Sequence, residues 1–321
     1  MRIRPLAALS AAALSAVLLA GCASSNAPDT DATPTPTATS SDCGLDPQSG
    51  ADSEAVTVSG TAPTLTAQAP TDLAFTELQR TTVTEGDGED LATGQLVSGQ
   101  YVYVDPTTGA VVVDSATTSA DDSGLVPIIV DGNTILGSAV LCTPLGSTTT
   151  FTIPGTMLGD SAPNYVIAAQ SVEQLPTKAT GADQEPVAGM PEVTLADDGE
   201  PTIKVADDFT APETTQIANL KTGDGPTVNS GDTVFVQYTG VLPDGTVFDS
   251  SWQRGAPTQF QTTGVVQGFQ KALEGQSVGS QLIAVIPAAE GYGDQAQGSI
   301  PANSPLIFVV DILGVQRAPQ Q

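Results

Sequence analysis

The chain of 321 residues contains no histidine and only three cysteines. Without an imidazole there is no Ser-His-Asp triad, no cysteine nucleophile with a histidine base and no ordinary histidine-built zinc site. Most hydrolase chemistries are removed with them. Positive charge is also scarce: 9 Lys and Arg stand against 36 Asp and Glu, a formal net charge of −27. A surface of that sign repels phosphate backbones and anionic lipid heads, which argues against nucleic acid as a partner.

The length suits two domains of roughly 100–150 residues with tails. Residues 1–21 carry Arg2 and Arg4 and then an Ala- and Leu-rich run, the layout of an export signal too short to persist as a spanning helix. Leu19-Ala20-Gly21-Cys22 resembles the lipobox of bacterial lipoproteins, which implies cleavage before Cys22 and a lipid anchor on its thiol. The alternative is a plain cleaved signal with an accidental cysteine. Residues 22–43 are rich in Ser, Thr, Pro and Ala and read as a lipidated flexible linker. With Cys22 lipidated in an oxidising compartment, a disulfide is the economical use of Cys43 and Cys142. The expected location is extracytoplasmic, anchored to the bacterial cell membrane.

Beyond the linker the chain repeats itself. "TEGDGEDLATGQLVSGQYVYVDPTTGAVVVDS" (84–115) runs beside "KTGDGPTVNSGDTVFVQYTGVLPDGTVFDS" (221–250). "GSTTTFTIPGTMLGD" (146–160) then runs beside "GSQLIAVIPAAEGYGD" (279–294), and "NYVIAAQSVEQ" (164–174) beside "PLIFVVDILGVQ" (305–316). Three blocks in one order read as a duplicated domain. In the second copy, short strands of period-two alternation are punctuated by Gly, Pro and Asp, with one brief helix near Gly268–Glu274. This predicts α+β architecture: two antiparallel sheets, each wrapped on one short helix. The expected boundaries are 44–175 for the first domain, 176–212 for a linker that includes an opening strand around Val193–Val205, and 213–318 for the second domain.

The second copy reaches a family. Val-Gln-Tyr-Thr-Gly around Tyr238, the Asp-Gly turn, Phe248-Asp249-Ser-Ser, Val265-Val266-Gln-Gly-Phe269, Ile286-Pro287, Gly291-Tyr292-Gly293, Ile300-Pro301 and Leu306–Asp311 resemble the FKBP-type peptidyl-prolyl cis-trans isomerases in order and spacing. The resemblance covers about 100 residues and five separate segments. It implies one apolar cavity walled by Tyr238, Phe248, Val265, Val266, Tyr292, Ile300 and Phe308, with Phe269 as the floor where many relatives carry tryptophan. Asp249 would sit at the rim with Arg254 near it, and the Tyr292 hydroxyl and the Ile300 backbone N–H would point at a bound peptide. Tyr238, Phe248, Asp249, Tyr292 and Phe308 are the expected catalytic set, and Arg254, Val265, Val266, Phe269 and Ile300 the expected substrate contacts. Without the family, these apolar residues would be sheet core, Asp249 a turn cap and Arg254 a solvated charge. Thr258 departs from the pattern, standing where relatives often place an aromatic ring. Phe269 is smaller than tryptophan, which implies weaker affinity for macrolide ligands such as rapamycin and tacrolimus.

The implied activity is acceleration of Xaa-Pro isomerisation in proline-containing exported polypeptides, with no cofactor and no metal. A non-catalytic module that grips proline-containing segments is the competing reading. In the first copy, Tyr103 is placed opposite Tyr238 and Asp114 opposite Asp249, whereas Val113 faces Phe248, Leu158 faces Tyr292 and Ala168 or a neighbour faces Phe308. That copy is expected to be FKBP-like without useful activity. An unrelated small β-domain is the alternative.

Overall fold

The continuous burial of the longest strands follows from their composition. Leu96–Val104 and Thr233–Val241 are rich in β-branched and aromatic residues, and both faces of each are covered. The structure, a computed structural model, describes residues 47–159 and 162–319. The signal peptide, Cys22, the linker and Cys43 lie outside the described residues. Cys142 is disulfide-bonded.

The chain begins with a short helix α1 (Ala51–Glu54), then β1 (Thr57–Ser59) and β2 (Thr66–Gln68), which form a hairpin of their own. Next come β3 (Arg80–Thr84), β4 (Leu96–Val104), β5 (Val111–Asp114), β6 (Val126–Ile129), helix α2 (Ile135–Val140), β7 (Thr148–Ile153) and β8 (Tyr165–Leu175). Their antiparallel sheet has the order β3-β7-β8-β4-β5, with β6 also on β4.

The second half has the same order of elements. The edge strand β9 (Ala182–Asp183) is followed by the hairpin β10 (Glu192–Leu195) and β11 (Pro201–Lys204). Then follow β12 (Gln216–Thr222), β13 (Thr233–Val241), β14 (Val247–Ser250), β15 (Thr258–Gln261), helix α3 (Gln267–Leu273), β16 (Gln281–Ile286) and β17 (Leu306–Gln316). This sheet runs β14-β13-β17-β16-β12-β9, with β15 also on β13. Apart from β9, strand for strand it is the order of the first sheet. Val193–Val205 does not open the second sheet as a single strand; Pro201 and the Asp198-Gly199 turn fold it into a separate hairpin.

Each sheet has two covered faces. In the second, α3 packs with Val234, Val236, Phe308, Val310 and Ile312 on one side, and Ile203 of the hairpin packs with Val241, Ile283, Ile307 and Val309 on the other. The first sheet is covered likewise, by α2 on one face and by Leu65 and the β2 residue Ala67 on the other. Both covering segments are tied to the last strand of their sheet. Asp311 accepts the Ala179 N–H (2.8 Å), and Gln170 accepts the Ala62 N–H (2.6 Å). Residues 176–212 therefore cover the second sheet much as 55–75 cover the first.

The two sheets meet. Leu96 and Ile129 of one pack on Phe235 and Leu313 of the other. Gln316 donates to the Tyr101 hydroxyl and to Thr118 Oγ1, both at 2.9 Å, and the Arg317 N–H donates to the Thr118 carbonyl at 2.8 Å. Gly314 is required here, because a Cβ would stand 2.6 Å from Pro127. Among the described residues no helix is long and apolar enough to cross a membrane.

Candidate functional site

Strand β13 turns into β14 through Pro243-Asp244-Gly245, where Gly245 takes a φ of 83° and the Asp244 carboxylate accepts the Thr246 N–H. The turn sets the register that places Asp249 opposite Gly240. Gly240 also pairs with Phe308 on β17. A Cβ at Gly240 would lie 2.5 Å from Phe248 and 2.8 Å from Phe308. The glycine is thus the space in which two rings meet.

Those rings belong to a cup of five. Phe248 and Phe308 pack edge to face with centroids 5.3 Å apart, Phe308 and Phe269 lie at 4.7 Å, and Phe269 and Phe260 at 5.6 Å. Tyr238 closes the set at 5.5 Å from Phe260 and 6.2 Å from Phe308. Edge-to-face pairs of this kind contribute roughly 0.5–1.5 kcal/mol each beyond area burial. Phe269 lies on α3, deeply buried against the sheet. Ile300 joins the same cluster, and Val265 and Val266 pack on it from the approach to the helix. The structure thus brings together nine of the ten residues read from the sequence. Tyr292 stands apart, 38% exposed on the loop after β16 and without a ring contact to the cup among the described residues.

Phe260 was not among the residues read from the sequence. Its signal was the alternation of β15: Thr258 and Phe260 point the same way, so the ring absent at 258 is supplied two residues on. One expectation is corrected. The Ile300 N–H does not point outward; it donates to the Gln297 carbonyl at 2.9 Å, closing a small bridge in its own loop.

At the mouth, the Tyr238 hydroxyl donates to Asp249 Oδ2, and Arg254 Nη1 donates to Asp249 Oδ1. Arg254 Nη2 also donates to the Tyr238 hydroxyl at 3.1 Å, with its guanidinium carbon 5.5 Å from the ring centre. Burial, followed by the bond to Asp249, pushes the Tyr238 phenol up to about 12. The hydroxyl therefore keeps its proton at any ordinary pH. Arg254 and Asp249 are both nearly half exposed, so their ion pair adds little to stability. It fixes instead where the phenol and the carboxylate point.

The loop bearing Tyr292 is anchored through Glu290, which accepts from Lys271 Nζ at 2.7 Å and from the Thr215 backbone N–H at 3.2 Å and hydroxyl at 2.5 Å. Lys271, then Thr215, hold the Glu290 carboxyl down to about 2. Because the folded value lies below the ordinary one, the anchor's contribution is present above the usual carboxylate range and is lost as pH falls toward 2. Between pH 5 and pH 2.5 the urea midpoint of the wild-type protein should therefore drop further than that of Glu290→Gln. Equal drops would remove Glu290 from the acid response.

In the first sheet the register corrects the sequence alignment, by two residues on β4 and by one on β5, where Val113 and not Asp114 stands for Asp249. Tyr101 donates its N–H to Ser115 Oγ (2.9 Å) as Tyr238 does to Ser251 Oγ (2.8 Å), so Tyr101 takes the place of Tyr238. Tyr103, paired with Val113, then occupies the place of Gly240, paired with Asp249. Val112 stands for Phe248, Ile128 for Phe260, Leu136 for Phe269 and Ile167 for Phe308. Tyr103 packs edge to face on Tyr101 at 5.7 Å and on Tyr165 at 6.3 Å. Burial pushes its phenol up to about 12. A tyrosine fills the space that glycine leaves open in the second sheet, and the surrounding rings are replaced by Val, Ile and Leu.

A family model described as FKBP-type peptidyl-prolyl cis-trans isomerase matches residues 225–313. Over 112 residues the chain is 45% identical to FK506-binding protein 1 of Debaryomyces hansenii, covering 33% of this chain and 99% of that one. The chain belongs to the FKBP-type peptidyl-prolyl cis-trans isomerase family. It is also 49% identical over 94 residues to a probable FKBP-type peptidyl-prolyl cis-trans isomerase of Haemophilus influenzae, covering 29% of this chain and 39% of the relative. The chain thus spans about two fifths of that relative's length. The crystal structure of FkpA from Escherichia coli aligns at 34% identity over 40% of this chain and 53% of that one, with a TM-score of 0.30. The FKBP match falls on the sheet that holds the aromatic cup.

Proposed function

We propose that residues 213–318, with the covering segment from 176, form a peptidyl-prolyl cis-trans isomerase domain acting on proline-containing exported polypeptides. The observation that carries this reading is the aromatic cup with the Tyr238–Asp249–Arg254 network fixed at its mouth. Rotation about an amide costs roughly 18–20 kcal/mol because resonance is lost, and an Xaa-Pro bond left to itself takes tens to hundreds of seconds. The planar amide has the larger dipole, so a dry apolar cup disfavours it relative to the twisted form. Phe248, Phe260, Phe269 and Phe308 hold the proline ring, and Asp249, with Tyr238 and Arg254 behind it, offers a fixed polar rim. Ile300 covers the cup from its loop, and Tyr292 stands exposed on the loop after β16. No step calls for a nucleophile, a metal or a cofactor.

The test is cis-to-trans relaxation of a short Xaa-Pro peptide with and without the full chain. Phe248→Ala should lower the catalysed rate at least tenfold while leaving the folded spectrum intact. Activity equal to wild type would remove Phe248 from the site. No acceleration by the wild-type protein would leave a module that grips proline segments without turnover. Macrolides such as rapamycin and tacrolimus would compete for the same cup.

Residues 44–175 are proposed to be an FKBP-like copy without isomerase activity, because Tyr103 stands where Gly240 leaves room. Cys22 is proposed as the lipid anchor after removal of residues 1–21, with residues 22–43 as tether and Cys43 as the partner of Cys142.

A further inference from the structure

A cavity lies between the two sheets, against the first-sheet residues that stand for the cup. The cavity, of about 370 Å³, is walled by Tyr101, Tyr103, Asp131 and Leu136 on the first side and by Phe235 and Gln259 on the second. Its size falls in the roughly 300–1,000 Å³ range of ligand sites, and a junction between domains is a common place for one. Asp131 is only 9% exposed. Its Oδ1 accepts the backbone N–H groups of Asn133 (2.8 Å) and Thr134 (2.6 Å), whereas Oδ2 has no hydrogen bond or ion pair among the described residues. No lysine or arginine lines the cavity.

Asp131 Oδ2 is open to solvent and carries no counter-charge, so a cation can reach it. Tyrosine faces nearby favour a cation over a neutral group. The net charge of −27 draws cations toward the protein from a distance. We infer that the junction cavity binds a lysine or arginine side chain of an extended polypeptide, with the ammonium or guanidinium on Asp131 Oδ2 and its methylene stem against Tyr101, Tyr103 and Leu136. The site lies beside the isomerase cup along one strand: Gln259 of β15 lines the cavity, and the next residue, Phe260, is a wall of the cup. A polypeptide held there by a basic residue meets the cup at raised local concentration. The inference rests on the proposed function only for the polypeptide nature of the ligand.

The experiment is calorimetric titration of the full chain with two proline-free pentapeptide amides. One carries a central lysine between leucines, and the other carries norleucine in its place. The lysine peptide should bind at least tenfold more tightly, and raising the salt concentration should narrow the gap. Asp131→Asn should remove the gap, with its melting temperature measured in parallel. If that variant fails to fold, the lysine–norleucine comparison on the wild-type protein decides alone. Equal affinities, or no binding by either peptide, would overturn the inference. Because the probes contain no proline, this result is independent of the relaxation assay, so failure of one reading is distinguishable from failure of the other.

Discussion

Gly240→Val should abolish measurable prolyl isomerase activity, a loss of at least a hundredfold, and should destabilise the protein by about 1–3 kcal/mol, the usual cost of overpacking a core. A Cβ at this position would stand 2.5 Å from the Phe248 ring and 2.8 Å from the Phe308 ring. The rings cannot both yield, because Phe308 is already against Phe269 at 4.7 Å and Phe269 against Phe260 at 5.6 Å. The relaxation assay and a urea titration measure the two effects separately. A variant that kept wild-type turnover would mean that the cup is not where the Xaa-Pro bond turns. The first repeat has already made the equivalent change in nature, with Tyr103 at that position and no phenylalanine at the Phe248 and Phe308 places.

Cutting the second domain out at its expected boundary should cost more still. A fragment of residues 213–319 loses the Ala179 N–H that Asp311 accepts, and with it the covering hairpin over Ile283, Ile307 and Val309. It also exposes Phe235 and Leu313, which are buried against Leu96 and Ile129. Two such side chains contribute about 3–6 kcal/mol by burial, and an acceptor left unpaired costs about 1–3 kcal/mol more. Domains are commonly stable by only about 5–15 kcal/mol. Urea denaturation should therefore place this fragment several kcal/mol below the full chain, or find it unfolded. A fragment starting at 176 should recover part of the loss through its hairpin. Identical midpoints for 213–319 and the full chain would refute the coupling.

Much of the second sheet was legible because its signals are local: an Asp-Gly turn, alternation on both sides of it, and apolar residues at fixed distances from Tyr238. The cup was legible through family resemblance, apart from Phe260 and Gly240. Gly240 closes the Val-Gln-Tyr-Thr-Gly motif, but its role is not legible there because that role is to be empty. The two-residue error in the first repeat has a physical origin in the period of a strand. On β4 Tyr101 and Tyr103 point to the same face, so a slip of two there leaves every inside residue inside, while the turn from Val104 to Val111, one residue longer than that from Val241 to Val247, leaves β5 slipped by one. Only the pairing with Ser115 and Val113 tells them apart. The hairpin at 192–204 was read as linker because its alternation is weak and proline-flanked, and because its apolar partners lie on strands far away in the chain.

In both sheets the last strand to be synthesised sits in the middle. β8 lies between β7 and β4, and β17 between β16 and β13, and each also holds the segment that begins its own repeat. A chain emerging amino-terminus first must wait for that keystone before its covering segment can dock, across 108 residues in the first repeat and 132 in the second. Assembly by such distant contacts is slow, in the millisecond-to-second range typical of high contact order. Gln316 and Arg317 then latch onto Tyr101, Thr118 and Ala120 of the repeat that emerged first. The order of synthesis thus becomes an order of assembly, with the first repeat finished in time to receive the second.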